Sequence, residues 1–232
     1  MNKQQVRDTI VRVGIVPVVR APSPALALMA VEAVCRGGIP VVEITMTVPG
    51  AIDVIRDLVR SADSSVLVGA GTVLNADVAR QCVDAGAQFL VTPGVDQPTI
   101  EFAEAHNLTV IPGALTPTEI MTALRLGADF IKIFPCGEVG GPRYIKALRG
   151  PFPDLPMIPT GGVKLETAAE FLRAGAVALG VGGELVSAQA LKANAFEAIT
   201  ANARRFVDIV AQARECLLKE SENHATVGGP VR

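Results

Sequence analysis

The chain has no tryptophan, one tyrosine and only two histidines, His106 and His224, far apart in its 232 residues. A histidine-rich metal site is therefore excluded, and no dense Asp/Glu cluster calls for a magnesium site. The four cysteines, Cys35, Cys82, Cys136 and Cys216, form no CxxC pair. That spacing argues against a disulfide framework or a zinc knuckle and fits free thiols in a reducing compartment. There is no basic block, and aromatic residues make up 4% of the chain, too few to stack on nucleic-acid bases. No apolar run approaches bilayer length, and the opening "MNKQQVRDTIVRVG" is too polar for a signal peptide. The expectation is a cytoplasmic protein with no cofactor, no bound metal, no nucleic-acid partner and no membrane partner.

What is present is apolar and repetitive. Half the residues are hydrophobic, 19% are charged and the net charge is -2, so a large core is expected. Eight short runs rich in Val and Ile read as strands: "VGIVPVV", "IPVVEIT", "SVLVGAG", "QFLVTP", "LTVIPG", "DFIKIFP", "LPMIPTG" and "VALGVGG". Helical patterns separate them, such as "ALALMAVEAVCRG", which starts after Pro24 and ends on Gly37. The phrases "CRGGIPVVEI", "DAGAQFLVTP", "RLGADFIKIF" and "RAGAVALGVG" share one grammar of helix end, glycine, small residue and buried strand. Alternating βα units imply a parallel sheet covered by helices, and eight of them favour a closed (β/α)8 TIM barrel. A doubly wound open sheet is the alternative, but no GxGxxG follows the first strand.

Two helices fall outside this count. The N-terminal one repeats Val6, Ile10 and Val13 and is expected to close the barrel bottom. The last carries an apolar stripe from Phe196 to Leu217, with Asn194 and Glu197 at capping-box spacing. Residues 1–219 are thus expected to form one barrel domain. Residues 220–232, which lack periodicity, are expected to be a disordered tail.

The run "GADFIKIFPC" places Lys132 among Phe130, Ile131, Ile133 and Phe134. Alternation puts Phe130, Lys132 and Phe134 on one side of the sixth strand and the aliphatic pair on the helix-covered side, so Lys132 points inward. The same argument turns Val41, Glu43 and Thr45 inward on the second strand, across the barrel. A lysine and a glutamate facing each other there can be a structural ion pair or a catalytic pair. Polar and turn residues at neighbouring strand ends favour a site: Thr72, Thr92, Pro93, Pro112, Gly113 and Thr160. Gly161 and Gly162 follow the seventh strand. Gly182 and Gly183 follow the eighth and are expected to open a helix. Loops at those two places commonly bind phosphate through backbone N–H groups. Glu184 beside them would repel a phosphate and is expected to point away. An amine, an opposed carboxylate, no metal ligands and a phosphate cradle fit Schiff-base carbonyl chemistry.

At these residues the chain resembles the 2-keto-3-deoxy-6-phosphogluconate (KDPG) and 4-hydroxy-2-oxoglutarate (KHG) class I aldolases. The resemblance runs from "GIVPVVRA" to "VGGELV" and includes "VEITMTVPGA", "VGAGTVLN", "FLVTPG", "IPGALTPTE", "FIKIFP" and "GPFPDLPMIPTGGV". It implies that Lys132 forms the Schiff base, that Glu43 is the general acid/base, and that Thr72 contacts the pyruvate-derived carboxylate. It implies that Arg20, Pro93, Phe134 and Thr160 contact substrate, and that Gly161, Gly162, Gly182 and Gly183 hold its phosphate. It further implies a homotrimeric (β/α)8 barrel that works without metal in the Entner–Doudoroff pathway on a phosphorylated keto acid. The chain departs from many members at Thr47, where they carry a substrate-binding Arg, leaving Arg20 to supply charge. Some members have Ser where Gly183 stands, and the loop "PCGEVGGP" is slightly longer than in close relatives. Thr160 resembles the gluconate type. An isomerase or epimerase using the same two charges, or a non-catalytic barrel binding a phosphorylated metabolite, are the rival readings. Borohydride trapping and turnover separate them.

Overall fold

The computed structural model describes residues 1–61, 63 and 65–227. In chain order the elements begin with α1 (Lys3–Val13), β1 (Ile15–Val19), α2 (Pro24–Arg36), β2 (Val41–Thr45), α3 (Ala51–Ser61) and β3 (Leu67–Gly71). Next come α4 (Ala76–Asp84), β4 (Phe89–Val91), α5 (Gln97–Ala105), β5 (Thr109–Ile111), β6 (Gly113–Ala114) and α6 (Pro117–Arg125). The chain then forms β7 (Ile131–Ile133), a 3₁₀ turn at Gly137–Val139, α7 (Pro142–Arg149), β8 (Met157–Pro159), α8 (Leu165–Arg173) and β9 (Leu179–Val181), and finishes with α9 (Ala188–Lys192) and α10 (Phe196–Val227).

This is a parallel α/β fold. All strand pairings are parallel, in a curled six-stranded sheet of order β5-β4-β3-β2-β1-β9 and a three-stranded sheet of order β6-β7-β8. The fifth expected strand is split in two at Pro112, whose ring removes an N–H from the ladder. Pro112 still accepts a hydrogen bond from the Lys132 N–H at 2.9 Å.

Strand alternation produces two cores. Val42, Ile44, Ile131 and Ile133 pack outward with the helices, in one cluster with Val31, Phe171 and Phe206. Val16, Val41, Leu67, Phe89, Phe130 and Ile158 pack on the inner face. Val6 and Ile10 of α1 join that inner cluster, so the N-terminal helix plugs the amino-terminal end of the strands. Lys3 and Arg7 of the same helix lie 3.2 and 3.6 Å from buried Asp129, which fixes how α1 docks.

The C-terminal region differs from expectation in two ways. Asn194 does not cap α10. It has φ 52 and ends α9, with its N–H donating to Leu191 O and the Ala195 N–H donating to Ala190 O. That is a Schellman ending, in which asparagine tolerates the left-handed position. Secondly, α10 passes Glu220 and continues to Val227. No glycine or proline occurs between Glu220 and Gly228, so nothing in the chain halts a helix already running. Of the expected tail, residues 228–232 lie outside the described residues. The α10 stripe Ile199, Ala203, Phe206, Val210 and Ala213 is buried in the outer core.

Candidate active site

Lys132 is the central residue of β7 and Glu43 the central residue of β2. Both are on the inner face, 3% and 2% exposed, above the apolar floor of Phe89, Phe130 and Val41. They line the same small cavity with Thr160, Gly180, Val16, Val91, Ile111 and Ile158. Its volume is about 10 Å³, close to the least space that admits one water. The Lys132 Nζ stands 5.1 Å from the centroid of the Phe134 ring, a cation–π distance. No Lys132–Glu43 contact falls within salt-bridge distance among the described residues.

Glu43 has an unusual environment. Its Oε1 is buried and has no hydrogen-bond partner. Burial pushes its carboxyl above the usual range, while the charges of Lys132 and, secondarily, Arg20 pull it down. A carboxylate so placed is a competent proton acceptor, because burial makes it more basic than an exposed one.

A second cavity of about 120 Å³ lies at the carboxyl ends of β1, β8 and β9. Arg20, Phe134, Thr160, Gly161, Gly162, Gly182, Gly183 and Glu184 are among its lining residues. Gly161 and Gly162 are consecutive left-handed residues, φ 82 and 80, which few side chains permit. A Cβ on Gly162 would lie 2.7 Å from the Gly137 Cα, so this turn packs directly on the loop after β7. Gly183 meets nothing within 4 Å and faces open space. A Cβ on Gly182 would be 3.5 Å from the Arg20 Nη1, which places the guanidinium against this loop. Thr160 lines both cavities and joins them.

One expectation about this loop changes. Gly182 does not open a long helix. The Leu185 and Val186 N–H groups both donate to Gly182 O in a single turn before α9. Glu184 in that turn is exposed and is among the residues lining the cavity. Thr72, just past β3, has φ 55. A β-branched residue at positive φ is strained, and such strain concentrates at functional sites. Pro93 is exposed beyond β4 and is not among the lining residues of either cavity. Among the described residues, no group of three or more His, Cys, Asp or Glu is placed to hold a metal ion.

Residues 6–202 match the family model of the KDPG and KHG aldolases. The chain belongs to the KDPG and KHG aldolase family. It is 34% identical to the 2-dehydro-3-deoxy-phosphogluconate aldolase of Treponema pallidum over 203 residues, which is 88% of this chain and 96% of that one. It is 33% identical to the KHG/KDPG aldolase of Escherichia coli, covering 87% of this chain and 94% of that one. It is also similar to the crystal structure of the Legionella pneumophila KDPG aldolase with pyruvate captured as a covalent carbinolamine. The TM-score there is 0.80 at 30% identity, over 86% of this chain and 97% of that one.

In this member of the family Thr47 stands exposed at a cleft of about 680 Å³ that it shares with Arg20, Leu26, Leu191 and Lys192. Its hydroxyl lies 2.7 Å from that of Thr45, which in turn can donate to Val19 O at 3.1 Å. Arg20 and Lys192 are the cations lining that cleft, and Arg20 also lines the cavity of the glycine loops. Sequence reasoning missed two residues of the inner site, Gly71 and Gly180. A Cβ at Gly180 would overlap the Thr160 hydroxyl, and one at Gly71 would overlap the Glu43 carboxylate. Their signal was present, since glycine inside a strand marks close approach of another group.

Proposed function

We propose that this chain is a lyase that cleaves KDPG to pyruvate and glyceraldehyde 3-phosphate through a Schiff base on Lys132. The observation that carries the reading is the pairing of buried Lys132 with buried Glu43 at one cavity, next to the glycine-lined one. The neutral Lys132 amine adds to the C2 carbonyl, and the resulting carbinolamine loses water to give an iminium. Glu43 then takes the proton of the C4 hydroxyl. The C3–C4 bond breaks, its electrons flow to the iminium nitrogen, and the aldehyde leaves. The enamine left behind is protonated at C3, and water hydrolyses the new iminium to pyruvate and free lysine. Thr72 and Arg20 hold the carboxylate end, and Gly161, Gly162, Gly182 and Gly183 receive the phosphate with backbone N–H groups. Thr47, Pro93, Phe134 and Thr160 complete the substrate contacts. KHG, which shares the pyruvate half, is cleaved to pyruvate and glyoxylate as a side reaction. The reaction is assigned to the Entner–Doudoroff pathway in the cytoplasm.

The same reading includes a closed (β/α)8 barrel and a homotrimer. Closure is supported by the bridges Met157↔Ala176 and Thr160↔Gly180, by the Val177 N–H donating to Met157 O, and by the direct succession of β5 and β6 across Pro112. A symmetric assembly is supported by similarity to a designed protein cage built by fusing symmetric oligomeric domains, at 31% identity and a TM-score of 0.84.

The test is reductive trapping. Pyruvate plus borohydride should inactivate the enzyme and add one reduced pyruvyl group at Lys132. An adduct mapped to Lys146 or Lys164, or no adduct in an enzyme that turns over KDPG, would overturn the assignment.

A further inference from the structure

Buried carboxylates are ordinarily held in place by hydrogen bonds. Glu43 is an exception, because no described group donates to its Oε1. Its neighbour on the same strand, Thr45, spends its hydroxyl on Val19 O and Thr47. Packing therefore helps set where the carboxylate sits, beside the attraction of Lys132 and Arg20.

The strand register shows how. Glu43 pairs with Gly69 and Thr45 with Gly71 across the β2–β3 ladder. Yet the Glu43 carboxylate does not lie over its register partner. A Cβ built on Gly69 would strike the Phe89 ring, whereas one built on Gly71 would overlap the Glu43 carboxylate and stand 2.5 Å from its Cγ. The Glu43 side chain thus climbs one pleat toward the carboxyl end of the strands and fills the space that Gly71 leaves by lacking a side chain. Gly71 is buried in the middle of the sheet and its φ is not left-handed, so its backbone conformation is open to alanine. Space alone requires glycine there.

We propose that Gly71 is a positioning residue for the acid–base group: its missing side chain forms the notch that holds the Glu43 carboxylate at the level of Lys132. The inference rests on the acid–base role of Glu43 stated above. Alanine at position 71 pushes the carboxylate out of the notch, and proton transfer at the C4 hydroxyl fails while substrate binding through the glycine loops, which do not touch Gly71, is kept.

The test is a pair of double-mutant cycles on the purified full chain, which isolate the coupling between the two positions. In the activity cycle, Gly71→Ala should lower kcat for KDPG by about a hundredfold, the scale of lost general acid–base catalysis. KM should stay within about threefold, and the same substitution made in Glu43→Gln should cost little further kcat. Gly69→Ala, which strikes Phe89 instead, serves as the packing control and should show no such coupling to Glu43. In the stability cycle, Gly71→Ala should lower the melting temperature of the wild type but not that of Glu43→Ala, which has no carboxylate to displace. The stability cycle remains readable if Gly71→Ala alone folds poorly. A folded Gly71→Ala enzyme with wild-type kcat, or equal losses in the two Glu43 backgrounds, would overturn the proposal. Wild-type turnover by Glu43→Gln would instead sink the acid–base reading, leaving the stability cycle to judge the notch by itself.

Discussion

The Lys132 Nζ lies 5.1 Å from the centre of the ring of Phe134, the residue that follows β7. The ring therefore walls the amine on the side facing the glycine loops, since Phe134 also lines the cavity of Gly161 and Gly182. Phe134→Leu removes that face while leaving an apolar side chain. The iminium formed at Nζ is a cation against this ring, and a desolvated cation–π contact is worth up to about 2 kcal/mol, so losing it should lower kcat/KM by about tenfold or somewhat more. Unchanged steady-state kinetics would show that the ring is only packing.

Lys132→Met should keep the fold, because it retains a linear chain and removes a buried charge among apolar neighbours. It should abolish both KDPG cleavage and borohydride trapping. Circular dichroism establishes the fold, and a coupled pyruvate assay reads the turnover. A folded variant cleaving KDPG near the wild-type rate would remove Lys132 from the mechanism.

Glu43→Gln is nearly isosteric and should slow turnover by about a hundredfold or more while leaving slow imine formation with pyruvate. Mass spectrometry of the trapped adduct measures the second property independently of the first.

The pH profile follows from the surroundings of Glu43. Burial raises its carboxyl, and Lys132 and Arg20 lower it. Only the ionised form accepts a proton, so kcat/KM should fall as pH drops through a value above that of an ordinary carboxylate. Arg20→Met removes one of the lowering charges. Glu43 then holds its proton to higher pH, and the acid limb should move upward. An acid limb that stays put or moves downward contradicts the sign of this coupling.

The glycine loops can be tested without straining them. A side chain at Gly162 would press on Gly137 and carry an unfavourable φ of 80, so any loss there mixes strain with charge. Gly183 has open space around it. Gly183→Asp should therefore fold normally and weaken KDPG by at least about tenfold through repulsion of the phosphate, leaving unphosphorylated KHG nearly unaffected. Equal losses for both substrates would mark this loop as a plain turn.

Local pattern in the sequence determined a good deal. Period-two alternation alone turned Lys132 and Glu43 inward and Ile131, Ile133, Val42 and Ile44 outward, because a strand has only two faces and the aliphatic one must meet the helices. The glycine pair after β8 marked the second cavity for a similar reason, since Gly161 and Gly162 both take left-handed backbone angles. What the sequence did not disclose depends on groups distant along the chain. Gly71 and Gly180 look like any strand glycine until Glu43 and Thr160 are seen filling the space beside them. Asn194 has the spacing of a helix cap, but the hydrogen bonds of α9 claim it first. The orphaned Oε1 of Glu43, and the cavity it shares with Lys132, exist only once strands 89 positions apart in sequence curl toward each other. Burial and proximity are properties of that curl, and they set Glu43 and Lys132 at one cavity.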